Sequence, residues 1–110
     1  MEITRGAVVI VSARGAYTGK PRPALVVQND SFNPTHASVT ICPITTACID
    51  APPFRVNVPP GERTGLKSAS QVMVDKIVSV PRSTIVRAVG RCDDGAVNAV
   101  DDALRHWFGL

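Results

Sequence analysis

Prolines, glycines and short polar stretches divide most of this chain into apolar runs that are only about five to eight residues long. The sequence contains nine prolines and eight glycines, and most of them lie between runs rich in Val, Ile and Thr. Short runs bounded by turn-forming residues are typical of β-strands, whereas a helix requires a longer uninterrupted pattern. The sequence therefore predicts a mainly β protein of roughly six or seven short strands.

The predicted strands cover residues 6–11, 24–28, 38–44, 54–58, 70–80 and 85–91. The run over 70–80 is long enough to form either one bent strand or two strands in succession. Pro43 is expected to end the pairing of the third strand, because proline has no backbone N–H to donate to a ladder. Pro81 suits the first turn of a brief helix over 82–84.

The one clear helical pattern lies at the C-terminal end of the chain. Asp93 or Asp94 can cap its first turn, and Gly109 can end it. Apolar residues recur between these ends with the spacing of one helix face: Val97, Val100, Leu104, Trp107 and Phe108. We expect this stripe to pack on the sheet. The whole pattern predicts a small, strongly curved sheet or partly open β-barrel with one C-terminal α-helix.

Length and composition limit what such a chain can be. With 110 residues, of which 45% are hydrophobic, it is expected to fold as a single domain over residues 1–110. It has no apolar run long enough to span a bilayer, and its first residues lack the basic and apolar layout of a secretory signal. We therefore expect a cytoplasmic protein that does not associate with a membrane.

Cysteine and histidine are too few and too scattered to suggest a metal site or a disulfide framework. Cys42, Cys48 and Cys92 show no Cys-x-x-Cys spacing, and we expect reduced, mostly buried thiols. His36 and His106 are the only histidines and lie far apart in the sequence, which disfavours a pair sharing acid and base chemistry. No metal or other cofactor is predicted.

Charge is distributed unevenly along the chain. The net charge of +3 permits a polyanionic partner. Most of the Lys and Arg residues precede the last helix, whereas Asp93, Asp94, Asp101 and Asp102 cluster at its beginning and middle. The sequence predicts a basic face on the main body and an acidic helix elsewhere.

Arg22 lies between two prolines at the start of an apolar run. Pro21 and Pro23 restrict the backbone on both sides of it, because each ring fixes its own φ and limits the residue before it. A guanidinium held in this way loses little entropy on binding, and its planar set of donors suits two-point contact with phosphate. The alternative is a basic residue that merely decorates the entry of a strand.

Thr45 and Thr46 follow the third predicted strand directly. Their hydroxyl groups are small donors and acceptors on stiff, β-branched side chains, which is useful in a binding site. Threonine is also common in strands for structural reasons alone, and the pair could have no other role.

Several segments, in the same order and over nearly the whole length, resemble the MazF/PemK family of toxin endoribonucleases from bacterial toxin–antitoxin pairs. The matching segments are residues 5–6, 19–30, 41–46, 54–56, 65–67 and 70–77, together with Val100, Ala103 and Leu104 in the closing helix. The resemblance implies a small, partly open β-barrel of the CcdB/MazF/PemK plasmid-maintenance toxin type. It also implies a homodimer and a cognate antitoxin, which we expect to bind through a disordered acidic tail.

The activity implied by the resemblance is metal-independent cleavage of single-stranded RNA at short sequences. In the family, the ribose 2′-hydroxyl attacks the adjacent phosphorus and leaves a 2′,3′-cyclic phosphate and a 5′-hydroxyl end. The family's arginine of the Arg-Pro pair corresponds to Arg22, and its threonine corresponds to Thr45. Arg22 would neutralise charge on the phosphorane and is a candidate proton donor to the leaving oxygen, while Thr45 would hydrogen-bond a non-bridging oxygen.

Further residues are candidates for RNA binding: Tyr17, Thr18, Lys20, Thr46, Arg55, Lys67, Asp75 and Lys76. Tyr17 could stack on a base or simply pack, and Asp75 could orient Arg22, read a base edge or form a salt bridge. Arg82 is one more candidate for phosphate contact. The family often has a Ser-Glu-Gln-like stretch before the Arg-Pro pair, but residues 15–20 contain no carboxylate, so the general base is unassigned.

Two competing functions remain open from the sequence. One is a toxin of the same fold that resembles CcdB, which poisons DNA gyrase through its C-terminal helix and cuts no RNA. The tail Arg105 to Leu110 has some likeness to the Trp-Gly-Ile-like end of such toxins. The other is an inactive relative that binds RNA without cleaving it.

Overall fold

Residues 2–12 and 20–110 are described by the computed structural model, in which seven β-strands precede one C-terminal α-helix. The elements are β1 Ala7–Val11, β2 Arg22–Val26, β3 Ser38–Thr45, β4 Arg55–Val58, β5 Ser70–Met73, β6 Val78–Pro81, β7 Ile85–Arg91 and α1 Asp94–Phe108. Two single-turn 3₁₀ helices, Val74–Lys76 and Arg82–Thr84, lie before and after β6.

The strands form one antiparallel sheet in the order β4-β5-β3-β2-β1-β7, and β6 pairs with β3 off this path. Within the described residues, β4 and β7 are each paired on one side only, so the sheet is not closed. This confirms the prediction of a mainly β fold with a partly open sheet and a C-terminal helix. The run over 70–80 forms two strands separated by a 3₁₀ turn, which is the second of the two predicted alternatives.

The long strand β3 changes partners along its length, and Pro43 lies at the change. The prediction that Pro43 ends the pairing is wrong, because Pro43 is the register partner of Ala24 in β2. The Val27 N–H donates to the Thr40 carbonyl at 3.1 Å, so the backbone polar groups of Thr40 face the edge of β3 that pairs with β2. Because these groups alternate between the two edges along a strand, the nitrogen of Pro43 faces the other edge. At that edge β3 pairs with β6 up to Ile41 and with β5 from Ile44, so no ladder bond is lost.

Strand β2 begins earlier than predicted, at Arg22, and ends at Val26. Arg22 is the register partner of Val11 in β1, and Pro23 is the partner of Ile10. The proline therefore lies inside the strand, and the backbone of Arg22 is fixed both by ladder pairing and by the two neighbouring rings. This pairing holds the arginine at the end of β2 where the chain enters the sheet.

Both faces of the sheet are buried at β1, which explains the nearly continuous apolar run of this strand. Successive side chains of a strand point to opposite faces, so Val8 and Val9 belong to different core clusters, and both have no exposed surface. One cluster joins β1, β2, β3, β6 and the start of β7, and the other lies between the sheet and α1. Cys42 and Cys92 are buried as predicted, whereas Cys48 is exposed.

Helix α1 begins after an Asp93 cap, whose carboxylate accepts a hydrogen bond from the Ala96 N–H at 2.8 Å. It ends at Gly109, whose φ of +70° is the left-handed conformation typical of helix C-termini. Val100 and Ala103 are buried against the sheet. These observations confirm the predicted cap, the predicted end and the inner part of the apolar stripe.

The outer part of the stripe does not pack as predicted. Trp107 is 48% exposed and Phe108 is 56% exposed. The helix packs on β4 and on the 3₁₀ turn after β5, and these short elements do not cover its last turn. The Trp107 ring does contact Phe54, with ring centroids 5.7 Å apart. Within residues 2–12 and 20–110, no helix combines the length and apolar character needed to cross a bilayer.

The N-terminal segment ties the helix to the sheet. The Arg5 guanidinium forms an ion pair with Asp101 of α1 and donates to the Val27 carbonyl at 3.1 Å. Arg91 donates to the Thr4 hydroxyl at 2.7 Å and to the Arg5 carbonyl at 2.8 Å. One of the acidic residues of the helix is therefore used to dock it rather than to present charge to solvent.

Candidate active site

A cleft of about 490 Å³ lies where β2 and the end of β3 meet the segment that leads into β5 and β6. Its described lining is apolar over most of its surface and also includes six polar residues. The polar lining residues are Lys20, Arg22, Thr45, Thr46, Lys67 and Ser70. The structure thus brings together both residues predicted to be catalytic and three of those predicted to bind RNA.

Arg22 reaches this cleft from the first position of β2 and is exposed to solvent. None of the three ion pairs formed within residues 2–12 and 20–110 includes Arg22. Its backbone is fixed, while its guanidinium has no carboxylate partner in the described part of the chain. This combination leaves the charged group available to an anion in the cleft.

Thr45 is the last residue of β3 and is half-buried. The N–H of Ala47 donates to its Oγ1 at 3.0 Å, so the hydroxyl oxygen already accepts one hydrogen bond. The hydroxyl hydrogen is then free to be donated to a ligand oxygen. Thr46 is exposed next to it, and its carbonyl accepts the N–H of Cys48 at 3.0 Å. Together these bonds form a tight turn that orients the Thr45 side chain.

The described lining of the cleft is positively charged. Lys20, Arg22 and Lys67 line the cleft, and no Asp or Glu is among the described residues that do so. Cations that converge without carboxylates raise the local concentration of polyanions. The electrostatics of the cleft therefore favour a phosphate-bearing ligand.

The structure does not bring Arg55, Asp75 or Lys76 to this cleft. Arg55 Nε lies 3.0 Å from Asp75 Oδ1, and Arg55 Nη2 lies 3.4 Å from Asp75 Oδ2. This ion pair joins β4 to the 3₁₀ turn after β5, so the salt bridge is the arrangement found for Asp75. Lys76 is exposed in the same turn and does not line the cleft.

Tyr17 and Thr18 lie outside the described residues. The Arg82 guanidinium donates to the backbone carbonyls of Asn33 and His36, the latter at 3.1 Å, and so supports the loop between β2 and β3 instead of lining the cleft.

Sequence reasoning missed the apolar wall of the cleft. Leu66, Met73, Val78 and Val80 form part of it, although they come from segments distant from Arg22 in the chain. Ser70 was missed as well, and its hydroxyl donates to the Ser68 carbonyl at 2.8 Å. No local signal marks these residues, because their proximity to Arg22 depends on β5 and β6 both pairing with β3.

The two buried thiols, Cys42 and Cys92, are poorly suited to act as nucleophiles. Burial, with a smaller contribution from the Asp75 carboxylate, raises the pKa of Cys42 from its usual 9.0 to about 12. Burial and the Asp93 carboxylate also raise the pKa of Cys92. Both thiols therefore remain protonated at neutral pH. Among the described residues, no three His, Cys, Asp or Glu side chains lie together as ligands for a metal ion.

Comparison with known proteins adds independent information. Residues 4–108 match the family of PemK-like, MazF-like toxins of type II toxin–antitoxin systems. The chain is 45% identical over 106 residues to a probable endoribonuclease MazF of Mycolicibacterium smegmatis, with 96% of each chain covered. It is 30% identical over 98 residues to endoribonuclease MazF9 of Mycobacterium tuberculosis, covering 84% of this chain and 82% of that protein.

Solved structures give the same result for the fold. The toxin MazF-mt6 of Mycobacterium tuberculosis superimposes with a TM-score of 0.81 at 25% identity, covering 94% of this chain and 97% of that one. A MazE-MazF crystal structure from Deinococcus radiodurans gives a TM-score of 0.82 at 22% identity, covering 100% and 98%. The chain therefore belongs to the family of PemK-like, MazF-like toxins of type II toxin–antitoxin systems.

Proposed function

We propose that this protein is an endoribonuclease toxin that cleaves single-stranded RNA without a metal ion, with Arg22 and Thr45 as its catalytic residues. The observation that carries the proposal is that these two residues line one positively charged cleft. The relatives named endoribonuclease MazF support the reaction class.

The substrate itself supplies the nucleophile. The ribose 2′-oxygen attacks the adjacent phosphorus as its proton leaves, and the bond from phosphorus to the 5′-oxygen of the next nucleotide breaks. The leaving oxygen takes up a proton from water, so the products are a 2′,3′-cyclic phosphate and a 5′-hydroxyl end. Because nucleophile and phosphorus belong to one molecule, the protein has to align them and stabilise the added negative charge.

Arg22 and Thr45 are suited to different parts of this task. The Arg22 guanidinium can bind the non-bridging oxygens and neutralise the charge that develops on the phosphorane. The Thr45 hydroxyl can donate one hydrogen bond to a non-bridging oxygen, because Ala47 already occupies an acceptor position of its oxygen. Neither group is a good base, since guanidinium keeps its proton at all accessible pH values.

The proton of the 2′-hydroxyl therefore needs another acceptor. The described lining of the cleft contains no carboxylate and no imidazole. We propose that water or hydroxide accepts this proton. Cleavage should then accelerate steadily with pH between about 6 and 9, without the bell-shaped profile that an acid and base pair produces.

The same cleft provides the RNA-binding surface in this proposal. Lys20 and Lys67 contact phosphates on either side of the scissile bond, and Thr46 adds a hydroxyl beside Thr45. The apolar wall accepts a base or the edge of a ribose. Tyr17 and Thr18 remain candidates from the sequence alone.

A partner that blocks the cleft is part of the proposal. One structural relative is described as an endoribonuclease in complex with its cognate antitoxin. We propose that this chain likewise has a cognate antitoxin, whose acidic tail neutralises the cations of the cleft. We further propose a homodimer that acts in the cytoplasm, where messenger RNA is available.

The direct test is incubation of the purified protein with single-stranded RNA in the presence of EDTA, followed by analysis of the cut ends. We expect cyclic phosphate and 5′-hydroxyl ends. Arg22→Ala should abolish cleavage, whereas Arg87→Ala, which removes an exposed arginine of β7 outside the cleft, should not. RNA that stays intact with the wild-type protein, or full activity of Arg22→Ala, would contradict the proposal.

One observation favours the competing hypothesis of a CcdB-like gyrase poison. Trp107, Phe108 and Leu110 are exposed at the end of α1, where such a toxin would bind its target. The incubation with RNA and a separate gyrase reaction on DNA with Mg²⁺ distinguish the two hypotheses, because a gyrase poison would leave RNA intact and arrest gyrase on DNA. An inactive relative would also leave RNA intact, but it would bind RNA in a binding assay and would not arrest gyrase.

A further inference from the structure

We infer that Gln71 is a positioning residue for Thr45, acting through the backbone of Ile49. Gln71 lies in β5, only 5% of it is exposed, and it does not line the cleft. It is the register partner of Thr45 in β3 and of Asn57 in β4. Directly paired residues of antiparallel strands present their side chains on the same face, so these three form a row across the sheet. The inference rests on the proposed ribonuclease function.

The amide of Gln71 binds both backbone groups of Ile49. Its Nε2 donates to the Ile49 carbonyl at 2.8 Å, and its Oε1 accepts the Ile49 N–H at 3.0 Å. Nε2 also donates to Asn57 Oδ1 at 2.9 Å, which holds the amide in one orientation. A buried side chain with all its polar atoms paired has a single favourable placement. Gln71 therefore fixes the chain four residues after Thr45.

Among the described residues, the loop between these two points has one other side-chain hydrogen bond to a distant segment, the weak one that Cys48 Sγ donates to the Ala69 carbonyl at 3.9 Å. Ala47, Cys48 and Ile49 are exposed, and Ile49 has 49% of its surface in solvent. Apolar burial therefore does not anchor the loop. Its first end is held by the pairing of Thr45 with β5, and its far end is held by Gln71.

The position of this loop decides how the Thr45 hydroxyl is oriented. Ala47 lies midway along it and donates its N–H to Thr45 Oγ1. If the far end of the loop were released, this N–H would move and the hydroxyl could rotate or accept water. A displacement of about 1 Å at a catalytic group can reduce a rate by roughly 100-fold. The Asn57–Gln71–Ile49 contacts thus prepare the hydroxyl to donate to the phosphate.

The chain offers a matched control in Gln28. Its Nε2 also donates to an asparagine side chain, Asn33, at 3.0 Å and to a backbone carbonyl, that of Ser38, at 3.1 Å. Its Oε1 accepts a backbone N–H, that of Thr40, at 3.1 Å. Gln28 does not line the cleft. Gln28→Leu and Gln71→Leu therefore remove similar sets of bonds at different places.

The kinetic test is a double-mutant cycle with single-turnover cleavage of saturating RNA. Gln71→Leu should lower the cleavage rate by about 10- to 100-fold with little change in RNA affinity, while Gln28→Leu changes neither. Combined with Thr45→Ala, Gln71→Leu should have almost no further effect. If Gln71→Leu lowered the cleavage rate by the same factor in the wild-type and in the Thr45→Ala protein, its effect would be a general structural one and the inference would be overturned.

A second measurement does not depend on activity. Gln71→Leu should accelerate hydrogen exchange of the Ala47 and Ile49 amides in the native state, and Gln28→Leu should not. Unchanged exchange at Ala47 would overturn the inference. If the wild-type protein cleaves no RNA while exchange responds as expected, the proposed function fails but the positioning of the loop stands.

If Gln71→Leu does not fold, Gln71→Glu serves in both measurements. A glutamate retains the size of the side chain and can accept the Ile49 N–H, but it can donate neither to Ile49 nor to Asn57 when ionised. An intermediate loss of rate and intermediate exchange at Ala47 are expected. Wild-type values for both would contradict the role assigned to Gln71.

Discussion

The Arg55 guanidinium and the Asp75 carboxylate face each other across two hydrogen bonds, with only 10% and 15% of their side chains exposed. This pair joins β4 to the 3₁₀ turn after β5, and neither residue lines the cleft. Both were predicted from the sequence to bind RNA, with a salt bridge as an alternative for Asp75, and in the structure they form an ion pair with each other. Their contribution should therefore appear in stability and not in catalysis.

Arg55→Met tests this assignment because it keeps the apolar stem and leaves the Asp75 carboxylate unpaired. We expect the free energy of unfolding to fall by roughly 1–3 kcal/mol, because a largely buried charge loses its partner. Urea denaturation measures the loss. Cleavage by the folded protein should stay within about twofold of wild type.

Arg105→Met is the matched control. Arg105 pairs with Asp102 on the exposed face of α1, where the two side chains are 64% and 79% exposed. Solvent screens such a pair, so we expect a loss below about 0.5 kcal/mol. Equal losses for the two variants, or a large fall in cleavage by Arg55→Met alone, would contradict the structural role of the Arg55 and Asp75 pair.

Thr45→Ala removes the hydroxyl proposed to bind the phosphorane. We expect single-turnover cleavage to slow by about 10²–10³-fold, the usual effect of losing one preorganised donor. Thr45→Ser keeps the hydroxyl and should recover most of the rate. Thr84→Ala removes a hydroxyl that donates to the Pro81 carbonyl at 2.7 Å, outside the cleft, and should leave the rate unchanged. A rate near wild type for Thr45→Ala would remove this residue from the site.

Lys67 and Lys76 were equivalent candidates in the sequence, but only Lys67 lines the cleft. Lys67→Gln should weaken RNA binding and reduce the slope of log affinity against log salt concentration by about 0.7, the value for one phosphate of a single strand. Lys76→Gln should change neither quantity. Fluorescence anisotropy of a labelled RNA over a salt series, using inactive Arg22→Ala in both cases, makes the comparison. Equal slopes for the two lysine variants would show that RNA does not follow the cleft.

The raised pKa of Cys42 links stability to alkaline pH. Its thiol has a pKa of about 12 in the folded protein and near 9.0 when unfolded. Above pH 9 the unfolded chain binds fewer protons than the native one, so the free energy of unfolding should decrease as pH rises from about 9 to 12. The decrease approaches about 1.4 kcal/mol per pH unit for one such group.

Urea denaturation at several pH values in the presence of a reducing agent measures this dependence. Cys42→Ala should make the decline shallower, even though the cavity it creates lowers the stability at every pH. Cys48→Ala, at the exposed cysteine, should leave the slope unchanged. A slope that Cys42→Ala does not alter would contradict the prediction.

Features that depend on neighbouring residues were predictable from the sequence. The short runs between prolines and glycines form strands, the Asp93 cap and Gly109 bound the helix, and Val100 packs inward. In each case the physical cause lies within a few residues. It is the alternation of side chains in the strands, the capping of the first helical turn by Asp93, or the left-handed backbone of Gly109. The resemblance to the family pointed to Arg22 and Thr45, which the structure places in one cleft.

Features that depend on distant partners were not predictable. Pro43 fits inside β3 because the adjoining strand changes at that residue, and Trp107 is about half exposed because the elements that α1 packs on leave its last turn uncovered. No residue near Arg55 in the sequence distinguishes it from the other basic residues, because its partner Asp75 comes close only in the folded chain. The apolar wall of the cleft likewise exists only once β5 and β6 have both paired with β3.

The change of partner along β3 has a mechanical consequence for the cleft. Arg22 is held by the strands on one side of the change, and Thr45 is held with β5 on the other. Among the described strands, β3 alone belongs to both groups, so the spacing of guanidinium and hydroxyl is set by the short stretch at Pro43 and Ile44. A proline ring stiffens this stretch. Any twist there changes the distance between the Arg22 guanidinium and the Thr45 hydroxyl, and so changes how well the two can bind one phosphate together.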